Sequence, residues 1–137
     1  MQKVLKETIK LRNSVSEAFK IAYYPGCSLD STAIDFNISI KKLFEVLGIG
    51  LDEIEDWSCC GTTPAQNINK ELVVELSARN LKLAEKIGYS EILSPCVSCY
   101  CKLFKAASTF KKSGEGDFKI YSIVEYLLGQ TSLMKNI

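Results

Sequence analysis

The sequence predicts an α/β fold: a small parallel sheet of about four strands with flanking helices. Short β-prone runs alternate along the chain with longer stretches whose apolar residues recur at helical spacing. Such alternation favours parallel strands, whose carboxyl ends meet at one edge of the sheet. Each of the first three predicted strands is followed closely by cysteine. The cysteines are therefore expected in the loops at the carboxyl ends of the strands.

The first strand is predicted over residues 20–24, because this run is β-prone and a proline–glycine pair ends it. Cys27 follows at once. A helix is predicted to begin near Thr32, which forms a capping-box pattern with Asp35, and to end at Gly48. The apolar residues expected on its buried face are Phe36, Ile40, Leu43 and Leu47.

The second strand is predicted within residues 49–57, where apolar and acidic residues alternate, and it leads to Cys59-Cys60-Gly61. A short helical turn is expected next, since Thr63-Pro64 suits an N-cap followed by proline at the first helical position. A longer helix is predicted from about Asn69 to Ile87, with a glycine as its stop. The apolar residues at helical spacing in it are Val73, Leu76, Leu83, Ala84 and Ile87.

The third strand is predicted over residues 91–94, directly before Pro95 and Cys96. A helix over about 96–110 follows, so Cys96 and Cys99 lie in its first turn. Free N–H groups and the helix dipole there favour thiolate over thiol. The residues expected on one side of this helix are Leu103, Phe104 and Ala107.

The last part of the chain is predicted as a loop over 113–117, a fourth strand over 118–121 and a final helix ending at Gly129. Ser122 and Glu125 form a capping box at the start of that helix.

The expected organisation is one cysteine-rich domain over residues 20–129. Residues 130–137 are expected to be a tail or the start of a linker. Residues 1–19 are predicted to form an amphipathic helix or arm, which either docks on a partner or covers this domain's own core. The apolar positions that indicate the helix are Val4, Leu11, Val15 and Phe19.

Composition excludes several classes of function. A formal net charge of +1 gives no field suited to nucleic-acid binding. No apolar run approaches the roughly 20 residues that span a bilayer, and charges interrupt the stretch where a secretory signal needs an apolar core. The chain is therefore expected in the cytoplasm, where thiols stay reduced, and a disulfide framework is not expected.

Five of the six cysteines form a spaced pattern: Cys27, the pair Cys59-Cys60, and Cys96 with Cys99. The chain contains no histidine, so a site for a soft metal must be built mainly from thiolates. Four thiolates would suit a structural zinc ion. Five, including an adjacent pair able to bind two metal atoms, suit an iron–sulfur cluster better. The spacing alone leaves both open.

Four segments carry a family resemblance: YYPGCSLD at 23–30, DWSCCG at 56–61, SARNLKLAEKIG at 77–88 and PCVSCY at 95–100. With the whole C-x31-CCG-x34-CxxC frame, residues 20–128 resemble the cysteine-rich "CCG" domain found in the B-type chain of heterodisulfide reductase. The resemblance implies a noncubane [4Fe–4S] cluster, although some domains of the wider family hold zinc. The ligands it implies are Cys27, Cys59, Cys60, Cys96 and Cys99.

The resemblance also implies a function. Heterodisulfide reductase chains of this type usually carry two CCG domains and split a small disulfide substrate between them, whereas this chain has one. The second half would come from another CCG-domain chain or a second copy, or the chain is a fragment cut in a linker that would follow Gly129. Electrons would come from an iron–sulfur or flavin subunit. The alternative is a noncatalytic electron-transfer or assembly module with structural zinc. A thiol oxidoreductase that uses Cys96 and Cys99 directly would leave the Cys59-Cys60 pair unexplained.

The remaining residues near the motifs have more ordinary interpretations. Cys101 matches no motif position and is expected to be a small buried hydrophobe rather than a sixth ligand. The aromatic residues expected to pack around the site and exclude water are Tyr23, Tyr24, Trp57 and Tyr100.

Overall fold

The computed structural model describes residues 19–62, 67–131 and 135. In chain order its elements are β1 (Lys20–Tyr23), α1 (Gly26–Leu29), α2 (Ile34–Leu47), β2 (Gly50–Glu53), α3 (Lys70–Lys86), β3 (Glu91–Leu93), α4 (Val97–Ser113), β4 (Lys119–Tyr121) and α5 (Ile123–Gly129). The predicted α/β class is confirmed. Among the described residues, none of the helices has the length and apolar character needed to cross a membrane.

The four strands form one parallel sheet in the order β2-β1-β3-β4. In the register, Ala22 of β1 lies between Asp52 of β2 and Ile92 of β3. The chain continues from β1 to β2 at one edge of the sheet and from β3 to β4 at the opposite edge. This places a topological switch point between β1 and β3, and in open α/β sheets ligands bind in the crevice outside the strand ends at such a point.

Helices cover both faces of the sheet. One face packs against α2 and α5, and the stacked rings of Phe44 and Tyr126 join these helices at a centroid distance of 5.6 Å. The other face packs against α3 and α4, where Leu81 and Leu103 are fully buried. The sheet therefore lies between two apolar layers, and the carboxyl ends of its strands remain free to carry a site.

Helix α2 differs from its prediction in two ways. Its N-cap is Ala33, which makes no side-chain cap hydrogen bond, so the Thr32 capping box is wrong. Phe36 and Leu43 are 45% and 36% exposed, and the buried face passes instead through Asn37, Ile40, Phe44 and Leu47. The hydroxyl of Tyr23 donates to Asn37 at 2.7 Å, which explains a polar residue in this position.

The starts of α3 and α5 agree with sequence expectation, whereas α4 ends at Ser113, three residues after its predicted end. Asn69 caps α3 by accepting from the Glu71 N–H at 2.8 Å. The Ser122 and Glu125 capping box is present at the start of α5. Phe104 of α4, expected on one side with Leu103 and Ala107, is 53% exposed whereas those two are buried, and its ring lies tilted against that of Tyr100.

Some predictions fall outside the described residues. They are the helical turn at Thr63-Pro64, the arm over residues 1–19 except Phe19, and most of the tail over 130–137.

Candidate metal centre

The loop after β1 brings Cys27 to the carboxyl edge of the sheet. Cys27 lies in the one-turn helix α1 and its side chain is exposed. Gly26, directly before it, has φ of +76°, and a Cβ there would lie 2.7 Å from the Sγ of Cys99. Glycine is therefore needed for two reasons, the left-handed backbone and the close approach of the buried thiol.

The loop after β2 delivers Cys59 and Cys60. The N–H of Gly61 donates to the Sγ of Cys59 at 3.4 Å, as expected from a glycine that lets its amide approach sulfur. Cys60 is 1% exposed, and its Sγ lies 2.8 Å from the hydroxyl of Thr62. The two adjacent cysteines thus differ in exposure, since Cys59 is only partly buried.

The loop after β3 carries Cys96 and Cys99, and here helix α4 sets the geometry. Cys96 is the N-cap of α4, and Cys99 lies in its first turn, as predicted. Cys99 is 3% exposed, while Cys96 is partly buried. One helical turn therefore fixes the position of these two thiols relative to each other.

Sulfur contacts join the three loops into one centre. The Sγ atoms of Cys27 and Cys59 lie 3.8 Å apart, and those of Cys60 and Cys99 share a hydrogen bond of 3.4 Å. Cys96 lies one helical turn from Cys99, as the N-cap of the same helix. A separation near 3.8 Å is about what two thiolates have on one tetrahedral metal atom with bonds of about 2.3 Å. The five motif cysteines are thus brought together from three strand ends.

The contacts between the thiols shift their pKa values in opposite directions. The hydrogen bond with Cys99 is the main reason that the pKa of Cys60 falls to about 6, against the opposing effect of burial. The same hydrogen bond, followed by burial, raises the pKa of Cys99 well above the usual range. Burial, then the contact with Cys59, raises the pKa of Cys27. The preference for thiolate at the start of α4 stays a prediction, since sulfur contacts and burial also act on Cys99.

Cys101 does not follow its prediction. It is exposed on α4, so the expected burial is wrong.

Within the ranges that the structure describes, no three cysteine or acidic side chains lie close enough to hold a single metal ion.

Side chains from elsewhere in the fold hold the loop after β2. The side-chain amide of Asn80, which is fully buried, pairs with the backbone of Ser58. The hydroxyl of Tyr24 donates to the same Ser58 carbonyl at 2.8 Å. Arg79 contacts both the carbonyl and the carboxylate of Asp56, at 2.7 and 2.6 Å. Sequence reasoning missed Asn80 and Arg79, although a polar residue on the apolar side of a helix was a signal.

Of the four aromatic residues expected around the centre, Tyr24 lies beside the thiols and Trp57 packs against it. Tyr24 is fully buried, and its ring meets that of the partly buried Trp57 edge-on, with centroids 5.5 Å apart. Burial, and then the nearby thiols, raise the pKa of Tyr24, which keeps its hydroxyl protonated and able to donate. Tyr23 packs on the opposite face of the sheet, against α2, so it does not line the centre. Tyr100 lies in the first part of α4, and its hydroxyl donates to Glu125 at 3.3 Å.

The residues present fit a sulfur-bound metal group. The donors are soft thiols, which select zinc or iron–sulfur clusters. Gly26 leaves room against Cys99 that a side chain would fill. The hydroxyl of Ser94, two residues before Cys96, is fully buried without a hydrogen-bond partner. Because buried polar groups are normally paired, this hydroxyl is available to donate to a further sulfur atom at this edge.

Fold and site together define an α/β protein with a thiol-rich centre at the switch point of a parallel sheet. The family model of the cysteine-rich CCG domain matches residues 21–104, and this span includes all five motif cysteines. The chain belongs to this family, as its motifs indicate.

The curated relatives are longer proteins with redox names. An 8-methylmenaquinol:fumarate reductase membrane anchor subunit of Wolinella succinogenes is 38% identical over 96 residues, which cover 70% of this chain and 34% of the relative. A heterodisulfide reductase B-like protein of Archaeoglobus profundus is 32% identical over 108 residues, covering 77% of this chain and 35% of the relative.

A third relative is named an uncharacterised iron–sulfur protein, from Methanococcus maripaludis, and is 22% identical over 114 residues, covering 82% of this chain and 22% of the relative. The chain thus spans about a third or less of the length of these relatives. By their names, two are related to reductases and one is an iron–sulfur protein.

Proposed function

We propose that residues 20–129 form an iron–sulfur redox domain that binds a [4Fe–4S] cluster of noncubane type. The observation that carries this proposal is the pair of sulfur contacts, Cys27 with Cys59 and Cys60 with Cys99, between loops from three different strand ends. Five thiols exceed the four that a zinc ion takes, and they suit a group with several metal atoms. The proposed ligands are Cys27, Cys59, Cys60, Cys96 and Cys99.

Each part of the site has a role in this proposal. The cluster, when bound, supplies one-electron transfer. The N–H of Gly61 already donates to the Sγ of Cys59, and such hydrogen bonds stabilise negative charge on sulfur. Tyr24 and Trp57 exclude water on the side of the β2 loop. Since the chain has no histidine, protons would come from water, a lysine or a partner.

The proposed reaction is the reductive cleavage of a small disulfide in a complex that resembles heterodisulfide reductase. Cleavage of RSSR consumes two electrons and two protons and gives two thiols. The electrons would come singly from an iron–sulfur or flavin subunit. This domain would supply one half of the active site, and a second CCG domain, in another chain or another copy, would supply the other. We place this reaction in the cytoplasm. The names of the reductase relatives support a role in an oxidoreductase.

The test is metal and acid-labile sulfide analysis, with an absorption spectrum, on the chain purified without oxygen. We expect about four iron and four sulfide per chain and a brown colour. About one zinc with no sulfide and no colour would refute the redox function and favour a structural or assembly module. Disulfide cleavage is then tested separately, by adding a reduced donor and a second CCG-domain chain and measuring the thiols released.

A further inference from the structure

The loop between β2 and the paired cysteines has irregular backbone. Residues 54–58 contain no helix or strand. Asp56 within them has φ of +56°, a left-handed conformation that residues other than glycine adopt rarely, aspartate and asparagine more often than the rest. Such a conformation persists only where the surrounding structure holds it. The contacts that hold this loop therefore set the position of Cys59.

Asn80 supplies the most specific of these contacts. Its Oδ1 accepts from the Ser58 N–H at 2.9 Å, and its Nδ2 donates to the Ser58 carbonyl at 2.8 Å. The amide thus pairs with one residue's backbone donor and acceptor, as a neighbouring strand would. Because the pairing needs one donor and one acceptor, a carboxylate or a hydrocarbon of similar size cannot replace it.

The position of Asn80 in the fold makes its polarity informative. It is fully buried in the middle of α3, on the side where Leu81 and Ala84 are also fully buried. Burial of an amide among apolar side chains is unfavourable unless it is hydrogen-bonded, and asparagine is a poorer helix former than alanine or leucine. Packing alone gives no reason for asparagine here. The pairing with Ser58, the residue directly before Cys59, gives a reason for asparagine at this position.

We propose that Asn80 is a positioning residue for the metal centre: it fixes the Ser58 backbone so that Cys59 and Cys60 are held ready to bind metal. Tyr24 assists by donating to the same carbonyl, and Arg79 holds Asp56 from the surface. This inference rests on the proposed function only in naming the metal group as an iron–sulfur cluster. The positioning itself applies to any metal that these thiols bind.

The variant that tests it is Asn80→Asp, which keeps the shape and one acceptor but loses the donor. The matched control is Ser77→Ala, since Ser77 lies fully buried on the same helix, one turn away, with its hydroxyl unpaired. In the metal-loaded full chain, we expect Asn80→Asp to release metal to a chelator about tenfold faster, within the range seen when partners of metal ligands are removed. Ser77→Ala should match the unmodified chain.

A second measurement separates positioning from general destabilisation. Thiol alkylation, read by mass spectrometry on metal-free full chain that circular dichroism shows to be folded, reports each cysteine. Asn80→Asp should speed alkylation of Cys60 about tenfold and leave Cys96 of α4, which makes no hydrogen bond to the β2 loop among the described contacts, unchanged, because only the β2 loop opens locally. Equal acceleration at both cysteines, or none, would overturn the inference.

Two further outcomes keep the test decisive. If Asn80→Asp does not fold, Arg79→Ala, whose side chain is 42% exposed, acts on the same loop from the surface. Arg79→Ala should also speed alkylation of Cys60, by a smaller factor than Asn80→Asp. An unchanged alkylation rate would count against the inference. If the unmodified chain contains zinc, the redox function fails, and zinc release from Asn80→Asp still tests the positioning.

Discussion

The loops after β2 and β3 each bring two cysteines to the same edge of the sheet, but they do so by different means. After β3, Cys96 caps α4 and Cys99 follows in its first turn, so the spacing of one helix positions both. After β2, irregular backbone leads to Cys59 and is held by side chains from elsewhere in the fold, among them Tyr24 and Asn80. One pair is placed by local structure and the other by contacts distant in sequence.

The largest expected effect comes from removing a thiol of the β2 loop. Cys60→Ser should lower metal affinity at least tenfold, because loss of even an outer partner of a metal ligand costs about 10–100-fold. If the group is a redox cluster, colour should vanish while circular dichroism shows most of the fold. If it is structural zinc, the melting temperature should fall broadly.

Cys101→Ser is the matched control, since Cys101 is exposed and outside the motif. It should keep the metal content of the unmodified chain. If Cys60→Ser kept its full metal content, Cys60 would not be a metal ligand.

The next test concerns the contact between the β1 loop and the α4 pair. Gly26→Ala should lower the free energy of unfolding by roughly 3 kcal/mol, from left-handed strain and from the clash of a Cβ only 2.7 Å from the Cys99 Sγ. Chemical denaturation of the chain measures this.

Gly114→Ala isolates the strain, because Gly114 has φ of +75° and nothing within 4 Å of an added Cβ. It should lower the unfolding free energy by only about 1 kcal/mol. Equal losses in the two variants would show that the close approach of Cys99 costs nothing.

A smaller effect is expected where Tyr24 supports the β2 loop. Tyr24→Phe removes the hydrogen bond to the Ser58 carbonyl and should lower the free energy of unfolding by about 1 kcal/mol. Urea denaturation followed by the fluorescence of Trp57, the chain's single tryptophan, measures it beside the loop itself. The control is Tyr121→Phe, whose hydroxyl makes an exposed contact with Glu91 and should contribute much less. Equal effects would contradict this support.

The smallest expected effect is a loss of stability at alkaline pH. Burial, and then the hydrogen bond to Asp52 of β2, raise the pKa of Tyr89 to about 12. Since an unfolded tyrosine titrates near pH 10, the stability that Tyr89 contributes is fully present below pH 10 and is lost between pH 10 and about 12. Burial raises the pKa of Tyr23 as well, in the same sense.

Urea midpoints measured from about pH 8 to 11.5 check this prediction, since the range spans the unfolded pKa of tyrosine. Tyr89→Phe should flatten the decline above pH 10. An unchanged decline in that variant would show that Tyr89 does not contribute to it.

The sequence predicted the features that depend on neighbours along the chain. The strand ends followed by cysteine, the start of α4 at Cys96 and the capping box of Ser122 are local patterns, and the structure contains them. It did not predict the buried face of α2, because Leu43 and Phe44 are both apolar, and the contacts that mark the buried face, such as Tyr23 with Asn37 and Phe44 with Tyr126, are distant in sequence.

The support of the β2 loop was also beyond prediction from the sequence. Asn80 and Ser58 lie 22 residues apart, and no periodicity connects a helix residue with one loop residue at that distance. The pKa values of the thiols depend on which sulfur atoms meet, which only the folded chain determines.

The order in which the strands are synthesised differs from their order in the sheet, and this affects when the thiols become available. β1 lies between β2 and β3, yet β3 is made last of the three. A chain emerging from the ribosome holds Cys27, Cys59 and Cys60 long before Cys96 and Cys99 exist, and at this stage one side of β1 has no neighbour. The donor set is therefore complete only when α4 has begun to form, so metal acquired earlier would meet three thiols at most.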